Sequence, residues 1–269
     1  MRIAHLSDTH FGTEVPAVEH ALIKFLYALK PDLIIVSGDV TQRARTAEFN
    51  AARAFLGCLP NVPKLLVPGN HDLPLFNLPL RLFAPRHAYH RAFGPADIVW
   101  SADRTAVVGI DSTLRFRHTR GGMALPALHR RVSGIGATVT VIVAHHPLHT
   151  LLDQDRHECL IGAAETAAEL ACLSADLVLS GHVHMPLLAD TRASFPKLHR
   201  HFVLSGAGTA VSSRIRSGAP NSFNLIDIDP ATPAIRLVRH DCDKTASGFT
   251  PVAMADFSFA EDGWRRIRA

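Results

Sequence analysis

Five short apolar runs in this chain each end abruptly in a cluster of Asp, Asn and His. Ile3 to Leu6 runs into Asp8-Thr9-His10, and Leu33 to Val36 into Gly38-Asp39. Leu65 to Val67 runs into Gly69-Asn70-His71-Asp72, Val139 to Ala144 into His145-His146-Pro147, and Leu177 to Leu179 into Gly181-His182-Val183-His184. Apolar runs of this length, bounded by turn residues, read as buried strands. In open α/β sheets the carboxyl ends of parallel strands meet at one crevice, so side chains scattered along the chain converge there. A lone histidine after a strand is more often a turn or core residue than a ligand. Five such clusters in series are not five independent accidents.

The intervening sequence fits this reading. Residues 17–29 and 46–59 carry apolar side chains at helical spacing, and Pro31-Asp32 stops the first of them. A third helix is expected over 165–173. After it the period changes: 201–205, 222–228 and 234–239 read as strands with no helix between them, which predicts an antiparallel end to the core. The pattern defines one domain over 1–240, with the Pro-punctuated segment 73–94 as a cap or lid or a plain long connection, and a weakly patterned C-terminal extension over 241–269. His5 is expected inside the first strand, and Asp111 as the cap of a turn.

Composition narrows the chemistry. Cys58, Cys159, Cys172 and Cys242 show no CxxC spacing and carry no disulfide frame or zinc knuckle. No apolar stretch approaches the roughly 20 residues of a membrane helix, and the N-terminus enters a strand directly, so a cytoplasmic protein is expected. A net charge of +4 permits an anionic substrate without demanding nucleic acid. Arg192, Lys197, Arg200, Arg214 and Arg216 are the cations that could attract phosphate; as bare charges they also fit a solvated surface.

Carboxylate, imidazole and one carboxamide, without thiolate, suit borderline or harder divalent cations such as Mn, Fe or Zn. Asp8, His10, Asp39, Asn70, His145, His182 and His184 exceed the four ligands of one tetrahedral centre, so two divalent metal ions sharing a bridging carboxylate is the economical count. Asp39 is the natural bridge. Gly38, Gly69 and Gly181 immediately precede ligands, where the chain must turn and approach the ions without a clashing Cβ.

The order Asp-x-His, Gly-Asp, Gly-Asn-His-Asp, His and Gly-His-x-His resembles the calcineurin-like metallophosphoesterase superfamily over residues 1–210. Within it, His5 to His10, Gly38-Asp39-Val40-Thr41 and His145-His146-Pro147 are similar to the bacterial branch that holds class III cyclic-nucleotide phosphodiesterases. The resemblance implies a four-layer α/β/β/α sandwich of two mixed sheets flanked by helices, with the antiparallel C-terminal strands in the second sheet. It also implies one metal on Asp8, His10, Asp39 and His184, and the other on Asp39, Asn70, His145 and His182.

The expected reaction is phosphoester hydrolysis by attack of a metal-bridging hydroxide, with His71 protonating the leaving oxygen and Asp72 orienting His71. The leading substrate is a small phosphodiester, a cyclic nucleotide among the candidates. A phosphomonoesterase or nuclease could use the same metals, and a non-catalytic scaffold is the distant alternative. Nucleic acid is a permitted but not favoured partner, no membrane partner is expected, and the oligomeric state is left open.

Overall fold

The computed structural model describes residues 1–268. The chain begins as strand and helix in alternation: β1 (Arg2–Leu6), α1 (Pro16–Leu29), β2 (Leu33–Val36), α2 (Thr46–Cys58) and β3 (Lys64–Leu66). In α1, Val18, Ala21, Leu22 and Leu26 recur at helical spacing and form the buried face. Pro16 sits in the first turn, where its missing N–H costs nothing, and Lys30 ends the helix in a left-handed conformation.

Two short helices follow, α3 (Leu78–Phe83) and α4 (His87–Phe93), then β4 (Ile98–Ala102), β5 (Thr105–Gly109), α5 (Leu125–Val132) and β6 (Val139–Val143). The remainder runs α6 (Ala163–Cys172), β7 (Leu177–Ser180), β8 (Leu187–Asp190), β9 (Val203–Gly206), β10 (Ser222–Asp229), β11 (Ala234–Cys242), β12 (Phe249–Ala260) and β13 (Gly263–Arg268).

These strands form two mixed sheets, in the orders β13-β12-β11-β10-β1-β2-β3 and β4-β5-β6-β7-β9-β8. Their inner faces share one core, including Ile3, Leu33, Ile35, Val141, Leu177, Leu179, Ile226 and Leu237. The outer faces pack on helices. Ala4, Leu6, Ile34 and Val36 meet residues of α1 and α2, while Val108, Ile142 and Val178 meet residues of α5 and α6. Alternation along β1 and β2 thus feeds two different layers, the four-layer arrangement expected from the sequence.

The sheet assignment differs from expectation in two ways. Of the strands expected in the second sheet only 201–205, as β9, joins it, while β10 and the strands after it extend the first sheet, with β10 antiparallel to β1. β9 lies parallel to β7, with β8 antiparallel on its other side. Three of the five polar clusters therefore end strands of one sheet and two end strands of the other, and the crevice forms where both sheets present their carboxyl edges.

The stretch expected as a C-terminal extension is part of the sheet. β12 pairs with β11 and with β13, and Phe249, Ala255, Phe257 and Trp264 are buried. The segment 73–94 is braced at several points. Tyr89 is fully buried, Phe93 packs on Phe49 of α2 with ring centroids 5.8 Å apart, and Arg86 bonds to Asp111 and Thr113. Arg81 donates to the carbonyls of Arg115 and Arg117. The segment thus supports the loop that follows β5.

Candidate metal centre

The turn after β1 lies beside the turn after β2, because backbone bonds continue past the strands: Asp8 N–H donates to Gly38 O, His10 to Asp39 O, and Phe11 to Val40 O. Asp8, His10, Asp39, His182 and His184 all have positive φ. Non-glycine residues rarely take this conformation, and its clustering marks a site held by its surroundings. The preceding glycines are needed for approach. A Cβ on Gly69 would lie 2.1 Å from Asp39 Oδ1, and one on Gly181 would lie 1.8 Å from Ser7 Oγ.

All seven expected ligands come together. Donor atoms of Asp8, His10, Asp39 and His184 lie within 4.8 Å of one another, as do those of Asp39, His145 and His182. Asp39 belongs to both groups, and Asn70 joins the second through Oδ1, 3.2 Å from His145 Nε2. His10 and His184 direct their Nε2 atoms at each other across 3.2 Å, and Asp8 Oδ1 lies 3.3 Å from His184 Nε2. Asp8 Oδ1 is buried without a hydrogen-bond donor. Lone pairs converging on one buried point, with a carboxylate oxygen left unpaired, fit a cation better than any hydrogen-bonding scheme.

The outer ring nitrogens are already committed. His145 Nδ1 donates to Ser37 O at 2.8 Å, and His184 Nδ1 donates to Arg214 O at 2.5 Å, which leaves both Nε2 atoms as ligands. His182 bonds through Nε2 to Glu158 at 3.0 Å, which leaves its Nδ1 for a cation. This bond is the main cause that holds the Glu158 carboxyl below the usual glutamate range. Removing such a carboxylate partner generally lowers metal affinity about 10- to 100-fold. Glu158→Gln is therefore expected to weaken the cation held by Asp39, Asn70, His145 and His182 by that factor, and to spare the other. Competition titration with a chelator checks this, and equal loss at both sites or none would refute the role.

Without metal, the site's charges settle among themselves. Burial alone would push the His145 imidazole down, but Asp39 at 3.3 Å outweighs it and raises His145 to about 9. Burial opposes ionisation of Asp39 too, yet His145 holds it well below the carboxylate range. Loading a cation must expel the His145 proton.

The expected proton donor, His71, and its expected orienting partner, Asp72, have different fates. His71 lines the cavity, but Asp72 does not orient it. The buried Asp72 carboxylate accepts from the N–H groups of Val40, Thr41 and Gly69 and from Thr41 Oγ1. Burial and nearby Asp39 push it up to about 7. In the tight turn Asn70–Asp72 successive side chains diverge, so adjacency in sequence was a poor guide. What orients His71 is Gln42: Nδ1–H donates to its carbonyl at 2.8 Å. Nε2 accepts from Arg214 Nη1 at 3.2 Å, so in this arrangement it has no proton to give. The side chain of His146 is buried, 2.8 Å from Ser112 Oγ and tilted against the ring of His182 with centroids 4.6 Å apart; it packs behind His182, away from the cavity.

The cluster opens into a cavity of about 430 Å³ whose walls include His118, Thr119, Asp155, Glu158, Arg214, Ile215 and Arg216. Among the described residues, none of its lining comes from 73–94. Of the cations noted in sequence, Arg192 pairs with Asp262 and Arg200 with Asp176, while Arg214 and Arg216 reach the cavity. His118 stands in an irregular loop and Glu158 ends the 3₁₀ helix Asp153–Glu158, and neither carried a sequence signal.

A sandwich with two donor groups sharing one carboxylate at the common edge of its sheets defines a dinuclear metallohydrolase centre. The chain belongs to the calcineurin-like phosphoesterase family, whose model matches residues 1–186, a stretch that contains all seven expected ligands. That family works with two divalent ions. The glycerophosphodiester phosphodiesterase GpdQ of Enterobacter lignolyticus (strain SCF1) is 32% identical over 164 residues, 55% of this chain and 57% of that protein. Among solved structures, the purple acid phosphatase PPD1 from yellow lupin (Lupinus luteus) seeds superposes with a TM-score of 0.72 at 11% identity, over 96% of this chain and 53% of that one. A dimetal phosphatase from Danio rerio gives 0.63 at 13% identity, over 97% and 99%. The chain spans about half the length of the first two. Among the described residues no helix is long and apolar enough to cross a membrane.

Proposed function

We propose that this chain is a phosphodiesterase of small phosphodiesters, with glycerophosphodiesters the first class to test and cyclic nucleotides the second. The observation that carries the reading is the placement of both donor groups on the floor of a small cavity of mixed charge. Asp155 and Glu158 stand in its wall, and Arg216 is closed by Asp155, so the lining offers no basic groove to a polyanion. The 32% identical relative, named for glycerophosphodiesters, supports the substrate class.

Asp8, His10, Asp39 and His184 would hold one cation and Asp39, Asn70, His145 and His182 the other. Bound there, the pair supplies Lewis-acid neutralisation of the phosphoryl charge and a nucleophile at neutral pH. The protein's own contribution is placement. Gln42 fixes the His71 ring so that Nε2 faces the cavity, and once Arg214 vacates Nε2 and that nitrogen takes up a proton from solvent, it can protonate the leaving oxygen.

The test is parallel turnover with added Mn of a glycerophosphodiester, a cyclic nucleotide, a phosphomonoester and single-stranded DNA. Small diesters are expected to be hydrolysed fastest, with DNA left intact. Faster turnover of the monoester, or cleavage of DNA, would sink the diesterase reading, and no hydrolysis by the metal-loaded protein would leave the scaffold.

A further inference from the structure

Arg214 stands in the cavity wall but lies beyond residue 186, outside the stretch the family model matches. Its main chain is tied to the metal centre, because His184 Nδ1 and Thr209 Oγ1 donate to its carbonyl at 2.5 and 2.8 Å. Its side chain crosses the cavity. Nη1 donates to Gln42 Oε1 at 3.0 Å and to His71 Nε2 at 3.2 Å, and both partners are neutral as arranged here. The His71 ring in turn lies 4.9 Å from the ring of His10, so the guanidinium sits one imidazole away from the metal ligands.

The neighbouring charges are matched by other partners. Arg216 makes a two-pronged pair with Asp155, at 2.6 and 3.1 Å, and Glu158 is engaged by His182. Among the described residues Arg214 has no carboxylate partner, and its Nε and Nη2 groups make no hydrogen bond. A guanidinium cannot shed its charge and presents five N–H donors in a rigid fork. Held over neutral acceptors at the wall of a cavity, it is preorganised for the paired oxygens of a phosphate.

We propose that Arg214 recognises substrate by donating its fork to phosphoryl oxygens of the ester and of the phosphate product. The loop 207–220, and not the family's shared motifs, then sets how firmly this chain holds the anion. The proposal rests on the phosphoester reading above, and one experiment separates the two.

The probe is inorganic phosphate, with Mn-loaded protein, read by calorimetry and as an inhibitor of diester turnover. A hydrogen bond to a charged partner is worth enough that Arg214→Gln is expected to weaken phosphate about ten- to a hundredfold. kcat/KM should fall by a similar factor, with metal content by elemental analysis unchanged. Arg214→Lys keeps the charge without the fork and should fall between. Phosphate affinity within about twofold of the parent's would overturn the proposal. So would loss of a cation from Arg214→Gln, which would make the residue a brace for His184. A parent protein that binds phosphate through Arg214 but hydrolyses no phosphoester would uphold the anion site while the functional reading falls.

Discussion

Asp39→Asn is expected to lose both cations together and at least about a thousandfold in kcat/KM, because the nucleophile and the charge neutralisation depend on them. Asp39 alone belongs to both donor groups. Its Oδ2 lies 3.3 Å from His145 Nε2 and 3.6 Å from His10 Nε2, while Oδ1 accepts the His71 N–H at 2.8 Å. Asparagine keeps the shape and the Oδ1 acceptor, so the fold should persist while the shared charge disappears. Elemental analysis after gel filtration reads the metals directly. A variant that kept two cations and turned over within about tenfold of the parent would remove Asp39 from the bridge.

The metal-free protein gives an independent reading of the same substitution. Asp39 is held well below the ordinary range, so its contribution to stability is present above about pH 4 and fades as pH falls. His145 is raised to about 9, so its contribution is complete below about pH 6.5 and is lost as pH rises through the folded value. Both shifts describe one buried pair. The difference in melting temperature between metal-free parent and Asp39→Asn should therefore be largest between about pH 4 and 6.5, and smaller above pH 9. A difference independent of pH would mean that the pair is not ionised.

The ligands were legible in sequence because each is fixed locally, by a strand that ends, a glycine that turns and a residue with metal-binding atoms. What sheet each strand enters was not, since Leu177 to Leu179 and Leu33 to Val36 are equally apolar and nothing in either names its neighbour. Asp72 was misread because contiguity suggested contact with His71, whereas its carboxylate turns inward to three backbone N–H groups and a hydroxyl. The cavity wall was invisible for another reason. His118 sits in the loop that Arg81 and Arg86 brace from far off in sequence, Glu158 ends a short 3₁₀ helix, and Arg214 lies in the long connection between β9 and β10. β12 escaped notice because Thr250 to Met254 are all exposed, so a period of two never appears there.

That last omission can be tested at Trp264, which is 1% exposed between the sheets although it falls in the weakly patterned C-terminal stretch. Its indole N–H donates to Asp176 Oδ1 at 2.8 Å, and the same carboxylate takes Arg200 and the Thr140 N–H. Its backbone N–H donates to His201 O, and His201 N–H donates to Asp262 O, which ties β13 to the second sheet. Trp264→Ala removes a large side chain from a packed core and leaves part of the Asp176 network without a donor, a loss of about 3–5 kcal/mol. For a chain of this size that corresponds to roughly 10 °C in melting temperature. Trp264→Phe, which keeps most of the bulk and loses only the N–H, should cost about 1–2 kcal/mol. Asp176 precedes β7 and the metal ligands follow it, so kcat measured well below the transition should be unchanged in both variants. A Trp264→Ala melting point within about 2 °C of the parent would show that the segment past Asp241 is an appendage after all. A large drop with intact kcat would show that the sandwich needs its last strands to hold the first sheet together, at the end of the molecule away from the chemistry.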